Sequence, residues 1–306
     1  MPRRKNGVRP RVEPPSQRVA PIGAILKAAG VRPSKSRGQN FLVQAAVAHR
    51  IVAAAELSGG DEVVEIGPGL GILSERLAAH DIGRLTMVEL DRVLAERLRR
   101  TFAANPRVRI VETDFVRADL SEIFERPPVK VVGNLPFNVA AAIFRRLCDA
   151  HQMVSTMVLM FQREVGERLR AAPASKSYSA LSVFAALYWR IDLHFRVAAG
   201  SFFPRPKVDA EVLRFRAREH LLFTPEEESA VTATVRASFS APRKKMRNSL
   251  AGGLRIEPRE AAAYLERAGI DSTLRPESLS AEDFVRLARV LMETGALKPD
   301  MESRDA

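Results

Sequence analysis

Between residues 62 and 161 short apolar runs alternate with longer stretches of helical spacing. The runs at Glu62–Ile66, Arg84–Val88, Val108–Glu112, Val129–Val132 and Ser155–Phe161 are rich in Val and Ile and too short for helices, which predicts strands. Helices are predicted over about Gln44–Glu56, Ile72–Ala79, Ala140–Ala150 and Ser179–Tyr188, with two later strands near Ile191–Val197 and Ala210–Phe215. Strands alternating with helices give an α/β class and an open, doubly wound, mainly parallel sheet. From about Glu219 the alternation stops, and Pro225–Phe239, Lys244–Leu250, Pro258–Ala268 and Ala281–Thr294 predict a smaller, all-helical C-terminal domain. Residues 1–20 combine Arg and Pro with few apolar side chains and predict a disordered tail, followed by a short helix near Ile22–Ala29. The expected division is therefore a tail over 1–20, an α/β domain over 21–218 and a helical domain over 219–306.

In open α/β sheets ligands lie beyond the carboxyl ends of the strands, at the point where strand order reverses. Four strand ends carry suitable groups. The first runs into Gly67-Pro68-Gly69-Leu70-Gly71, where glycines let the backbone approach a ligand and the next helix offers free N–H groups. The spacing is not that of the usual dinucleotide fingerprint. The second ends at Glu89, placed to accept from both hydroxyls of a ribose. The third ends at Thr113-Asp114, with Asp114 placed to accept from an adenine amino group. A ligand with an adenosine and a charged amino-acid end fits this set, which is S-adenosylmethionine.

The fourth strand stops at Gly133-Asn134-Leu135-Pro136-Phe137-Asn138. Asn and Pro are ordinary turn residues, but this stretch also holds what methylation of an aromatic amine needs. The amine lone pair is delocalised into the ring, and two acceptors aimed at its N–H bonds localise it. The Asn134 side-chain oxygen is one such acceptor. The Leu135 carbonyl is the other, held in direction because a residue before proline stays extended. Phe137 is placed to stack on a base. Upstream, Gln39 and Asn40 either cap the Gln44–Glu56 helix or form a lid over a ligand. Phe202 and Phe203 are read as core, with the target-base pocket as the other assignment.

Charge narrows the partner. The 306 residues carry a net +12, and ten basic residues against Glu13 alone give residues 1–40 a share of +9. A second cluster is Arg243, Lys244, Lys245 and Arg247. Such clusters bind polyanions, nucleic acid above all, although a basic tail also serves solubility. The single cysteine, Cys148, lies in an apolar helical pattern and reads as a buried thiol; with five histidines it offers no metal-ligand spacing. No apolar run reaches membrane-spanning length and the basic start lacks a following apolar stretch, so a soluble cytoplasmic protein is expected.

Several stretches resemble the ribosomal RNA adenine dimethyltransferases: Gly38-Gln39-Asn40-Phe41-Leu42, Glu65-Ile66-Gly67-Pro68-Gly69-Leu70-Gly71, Glu89-Leu90-Asp91, Gly133-Asn134-Leu135-Pro136-Phe137-Asn138 and Phe203-Pro204-Arg205-Pro206-Lys207-Val208-Asp209. Gln162-Arg163-Glu164-Val165, Lys176-Ser177-Tyr178 and Arg243-Lys244-Lys245-Met246-Arg247-Asn248 resemble that family's later signatures. The resemblance implies a Rossmann-like methyltransferase sheet and dimethylation of N6 on two adjacent adenosines in a hairpin near the 3′ end of small-subunit RNA. It also implies a role in ribosome assembly, with the assembling 30S-type particle as partner and a monomeric enzyme. Carried over by position, Asn40, Leu42, Gly67, Glu89, Asp114 and Asn134 are expected at the cofactor or the reacting amine. Asn134, Leu135, Pro136 and Phe137 are expected to be catalytic, and Arg37, Arg243, Lys244, Lys245 and Arg247 to bind RNA. The family usually has tyrosine where this chain has Phe137, a change that keeps stacking and loses a hydroxyl. A large-subunit RNA methyltransferase of the antibiotic-resistance type, or an assembly factor with dispensable activity, are the competing readings.

Overall fold

The computed structural model describes residues 38–241 and 243–297, together with Leu26, Gly30 and Pro33. The basic tail, Arg37 and most of the Ile22–Ala29 helix lie outside the described residues. Nine strands are used below: β1 (Phe41–Leu42), β2 (Glu62–Ile66), β3 (Arg84–Glu89), β4 (Val108–Glu112), β5 (Val129–Asn134), β6 (Val154–Gln162), β7 (Trp189–Val197), β8 (Phe202–Phe203) and β9 (Ala210–Ala217).

Seven of them form one sheet in the order β4-β3-β2-β5-β6-β9-β7, in which β4 to β6 pair in parallel and β9 runs antiparallel to both its neighbours. The chain winds outward from β2 through β3 to β4, then returns to β5 on the other side of β2. The strand ends of Ile66 and Asn134 therefore flank the reversal. The central strands are buried on both faces, which is why they read as nearly continuous apolar runs. Helices follow from local chemistry. Asp91 caps Arg92–Thr101 by accepting from Val93 N (3.0 Å) and Leu94 N (3.4 Å). Ser280 and Asp283 form a reciprocal capping pair that starts Ala281–Glu293.

Two of the features that escaped the patterning frame the site. The charged helix Arg92–Thr101 buries only Leu94, Ala95 and Leu98, a stripe too thin to stand out. The second is a two-residue antiparallel ladder, with Phe41 opposite Phe203 and Leu42 opposite Phe202. It corrects the assignment of both phenylalanines to the core: Phe202 is buried, whereas Phe203 points the other way and is 38% exposed.

The C-terminal helices share a continuous apolar core with the outer face of the sheet. Tyr188 meets Phe223 edge to face at 5.6 Å and donates its hydroxyl to Glu228 Oε1 at 2.9 Å. The buried Tyr178 hydroxyl donates to the Leu279 carbonyl (2.8 Å), so the Lys176–Tyr178 stretch is bolted to the helical region. Cys148 is fully buried and burial pushes its thiol up to about 12. Among the described residues no helix is long and apolar enough to cross a membrane.

The helix Met246–Leu254, which begins at the basic cluster, packs so closely on Glu228–Ser238 that a Cβ on Gly253 would lie 2.4 Å from Ala237 Cα. Gly253→Ala gains up to about 1 kcal/mol of helix propensity, but forcing two backbones apart costs about 1–3 kcal/mol. The variant should melt lower than the parent in a thermal scan; an equal or higher Tm would mean that the helices separate freely.

Candidate active site

The cleft lies at the carboxyl edge of the sheet, above the reversal between β2 and β5. It spans about 710 Å³, part of it open to solvent, and is lined by the Gly38–Leu42 segment, the Gly67–Leu70 turn, Glu89, Leu90 and the Asn134–Pro136 loop. Gly67 (φ 68°) and Gly69 (φ 58°) hold left-handed conformations that a side chain would strain. A Cβ on Gly69 would also sit 3.1 Å from the Phe41 ring, so glycine there keeps the turn against the roof of the cleft.

Glu89 is 6% exposed, and each of its oxygens accepts one backbone N–H: Oε2 from Gly69 (3.0 Å) and Oε1 from Asp91 (2.9 Å). Burial raises its carboxyl above the ordinary value, and the two N–H groups offset part of that. A carboxylate has about four acceptor positions, so capacity remains for a pair of hydroxyls. A second compartment of about 380 Å³ adjoins the first across Glu89, Leu90 and Pro136 and is lined by Thr113, Asp114, Phe115, Val116, Val139 and Ile143. Asp114 Oδ1 accepts from Val116 N (3.0 Å) and Oδ2 faces Arg117 Nε at 3.8 Å, which aims the carboxylate along the wall of this compartment.

Asn134 closes the other end. Its Nδ2 donates to the Asn40 carbonyl at 3.1 Å, which sets the amide's orientation. Its Oδ1 is buried and has no hydrogen-bond partner among the described residues. A buried orphan acceptor costs about 1–3 kcal/mol, and it is relieved only by a donor entering the cleft. Asn40 does not cap the following helix; its side chain donates to the Gly38 carbonyl at 3.2 Å and its backbone serves Asn134. The lid alternative is thus the one the geometry supports. Phe137 lines neither compartment and meets Phe202 edge-on at 6.1 Å.

Asn40, Leu42, Gly67, Glu89, Asn134, Leu135 and Pro136 thus surround one cleft and Asp114 the adjoining space. Sequence reasoning missed Leu90, which stands 60% exposed between the two compartments. Its signal was an apolar residue held between the acids Glu89 and Asp91. It also missed Glu65, fully buried behind the glycine turn with both carboxyl oxygens unpaired among the described residues. Burial pushes that carboxyl up to about 8; the nearby Ser74 hydroxyl offsets this in part without closing a hydrogen bond, and the Glu89 charge adds to it. Among the described residues no cluster of His, Cys, Asp or Glu could hold a metal ion. Arg243, Lys244 and Lys245 are exposed and Arg247 half-buried at the start of the Met246–Leu254 helix, outside the cleft lining.

Residues 31–293 match the family model described as ribosomal RNA adenine dimethylase. The chain belongs to that family. It is therefore an S-adenosylmethionine-dependent methyltransferase, and the orphan Asn134 oxygen, the buried Glu89 and the two left-handed glycines fit that cofactor. The chain is 40% identical over 274 residues to a ribosomal RNA small subunit methyltransferase A of Geobacter sulfurreducens, covering 88% of this chain and 99% of the relative. It is also 40% identical over 262 residues to the protein of that name in Syntrophotalea carbinolica, covering 85% and 97%. Among solved structures, a dimethyladenosine transferase from Plasmodium falciparum shares the fold, with a TM-score of 0.69 at 21% identity over 83% of this chain and 98% of that one. The 23S rRNA methyltransferase ErmE is similar with a TM-score of 0.60 and 27% identity, over 83% of this chain and all of its own.

An unfolded chain ionises Glu65 near 4.5, whereas the folded dimethylase holds the proton to about pH 8. The folded state thus binds the extra proton between these values, and stability falls as pH rises through that window before levelling above it. Glu65→Gln should flatten this part of the pH dependence and raise Tm at pH 8 relative to the parent. A thermal-melt series with unchanged slope would mean that Glu65 is not the titrating group.

Proposed function

We propose that this dimethylase converts two adjacent adenosines, in a hairpin near the 3′ end of small-subunit ribosomal RNA, to N6-dimethyladenosine. The observation that carries the chemistry is the buried, unpartnered Asn134 Oδ1, aimed by the bond from Nδ2 to the Asn40 carbonyl. When bound, S-adenosylmethionine supplies an electrophilic methyl group. Glu89 accepts from the ribose hydroxyls, Asp114 from the adenine amine of the cofactor, and Leu90 packs between the two compartments. Gly67, Asn40 and Leu42 shape the walls around the methionine end.

The target adenine leaves its stack, at a cost of a few kcal/mol, and rests against Phe137, which Phe202 braces from the side. Asn134 Oδ1 and the Leu135 carbonyl accept from its two N6–H bonds, draw the nitrogen towards tetrahedral geometry and free its lone pair for in-line attack. Pro136 keeps the Leu135 carbonyl in place. The nitrogen gains the methyl group of bound S-adenosylmethionine as the S–CH3 bond breaks and the neutral thioether S-adenosylhomocysteine leaves, and it then releases its proton to water. The step rests on positioning and needs no base beforehand.

The small-subunit assignment is supported by the 40% identity to relatives so named, against 27% to the 23S enzyme. It is also supported by the Tyr178–Leu279 tie between the Lys176–Tyr178 stretch and the helical region. The helical domain proposed over 219–306, of which 298–306 lie outside the described residues, presents Arg243, Lys244, Lys245 and Arg247 to RNA, and the enzyme is proposed as a monomer acting on the assembling small subunit. The deciding experiment is methyl transfer from labelled S-adenosylmethionine to small subunits lacking the modification and, in parallel, to large-subunit RNA. Mass spectrometry should find dimethyladenosine in the small-subunit hairpin. Label confined to large-subunit RNA would make this a resistance-type enzyme, and tight binding without label would leave an assembly factor.

Three variants refine the roles. Glu89→Ala should weaken S-adenosylmethionine binding by roughly 1–3 kcal/mol for each hydrogen bond lost, and calorimetry with unchanged affinity would remove Glu89 from the site. Asn134→Ala should lower kcat about 10²–10³-fold with RNA affinity held; equal losses in both would reduce Asn134 to a loop former. Replacing Arg243, Lys244, Lys245 and Arg247 by Ala should weaken RNA binding and reduce its salt dependence, so an unaltered slope in a salt titration would place the RNA elsewhere.

A further inference from the structure

One buried charge has no part in the cleft. Glu211 lies in β9 with its side chain fully buried, yet it carries two arginines: Oε2 accepts from Arg170 Nη2 at 2.7 Å and Oε1 from Arg196 Nε at 3.3 Å. Room for it is made by Gly166, where a Cβ would come within 2.6 Å of Oε2. Stability alone gives a weak reason for this cluster, since apolar residues of similar volume often replace such groups without loss. What the cluster does accomplish is to orient Arg196. That side chain is 66% exposed and is held through its Nε alone, so both Nη groups face solvent. A guanidinium fixed in this way is preorganised for bidentate contact with a phosphate.

Its position is informative. Asn134 pairs with Met160 on β6, Gln162 at the end of β6 with Ala210 on β9, and Ala210 with Val197, next to Arg196, on the edge strand β7. Three strand spacings, about 14 Å, separate the reacting strand end from the end of β7 that carries Arg196. By strand alternation Arg196 and Glu211 project from the face opposite Asn134, so an RNA strand reaching Arg196 passes over the carboxyl rim of the sheet. On the same edge, in the loop between β8 and β9, Arg205 and Lys207 are exposed and make no ion pair among the described residues.

We propose that Arg196, oriented by Glu211, contacts a backbone phosphate of the RNA strand flanking the target adenosine, and that Arg205 and Lys207 continue this phosphate track along the carboxyl edge of the sheet. Glu211 is then a positioning residue. The inference rests on the proposed function, because a flanking strand exists only if a nucleotide of a longer RNA is held at Asn134.

The test uses the full chain and a small-subunit 3′-end hairpin RNA without methyl groups, with binding followed across a salt titration and methyl transfer in parallel. Arg196→Ala should raise the RNA KM roughly tenfold, the worth of one charge-assisted hydrogen bond, with the loss falling on KM rather than kcat. The slope of log affinity against log salt should fall by about one. Arg196→Lys should recover the salt slope but only part of the affinity, since an ammonium lacks the planar fork that meets a phosphate through two N–H groups. Glu211→Gln should shift KM in the same direction while S-adenosylmethionine affinity holds. An Arg196→Ala enzyme with parental KM and salt slope would overturn the proposal. So would Glu211→Gln that lowers Tm but leaves both RNA readouts alone, which would make the cluster a brace within the fold. Arg196 is exposed, so its variants decide the matter even where Glu211→Gln does not fold. Failure of the functional reading looks different: the parent enzyme then transfers no methyl to the small-subunit hairpin, whatever the variants do to binding.

Discussion

A single hydrogen bond organises the cleft. The Asn134 amide donates to the Asn40 carbonyl across 94 residues of sequence, and by doing so turns its own oxygen into the buried space, where no donor among the described residues reaches it. The donor side of the amide is fixed to backbone, so its direction survives changes in neighbouring side chains. It also explains why the residue is an amide. An aspartate of the same shape would set a carboxylate oxygen against a carbonyl oxygen, and the roof of the cleft would have to move. The parallel sheet supplies the other half of the constraint. Its reversal between β2 and β5 leaves a gap at the strand ends, and the Gly67 turn and the Asn134 loop line it from either side.

Charge is sorted along the molecule. At the amino end of the sheet cations are neutralised: Lys130 pairs with Asp61 at 2.8 Å, Arg84 with Glu125 at 3.0 Å, and Arg214 with Glu56. These pairs lie near the surface, half-buried for the most part, and their effect is to quiet that end. Arg205, Lys207, Arg243 and Lys244 have no ion pair among the described residues. Of these, Arg205 and Lys207 lie at the carboxyl edge, away from the paired end, where they raise the local concentration of a polyanion.

The site was legible in the sequence to the extent that it lies at strand ends. Each central strand is an apolar run that stops at a glycine or an acid, so Gly67, Glu89, Asp114 and Asn134 could be placed in space from order alone. Contacts between remote short segments left no such trace. The ladder of Phe41–Leu42 with Phe202–Phe203 is two residues long on each side, too short for a period to register, and only its pleat shows that one phenylalanine is core and the other surface. Glu65 and Glu211 look like ordinary strand acids in the chain. Their burial is set by what packs over them, the glycine turn in one case and Gly166 in the other, and no local pattern announces it.

Cys148 has a practical meaning. It is the chain's only thiol, sealed in the core on the buried face of the helix Ala140–Asp149 and held protonated far above neutral pH. Oxidants and alkylating reagents, which need an accessible thiolate, will pass it by. A cysteine introduced on the surface, beside the phosphate track or at the Arg243 cluster, would thus be the molecule's unique reactive group. A dye or cross-linker could then be attached there without first stripping the native residue from the core.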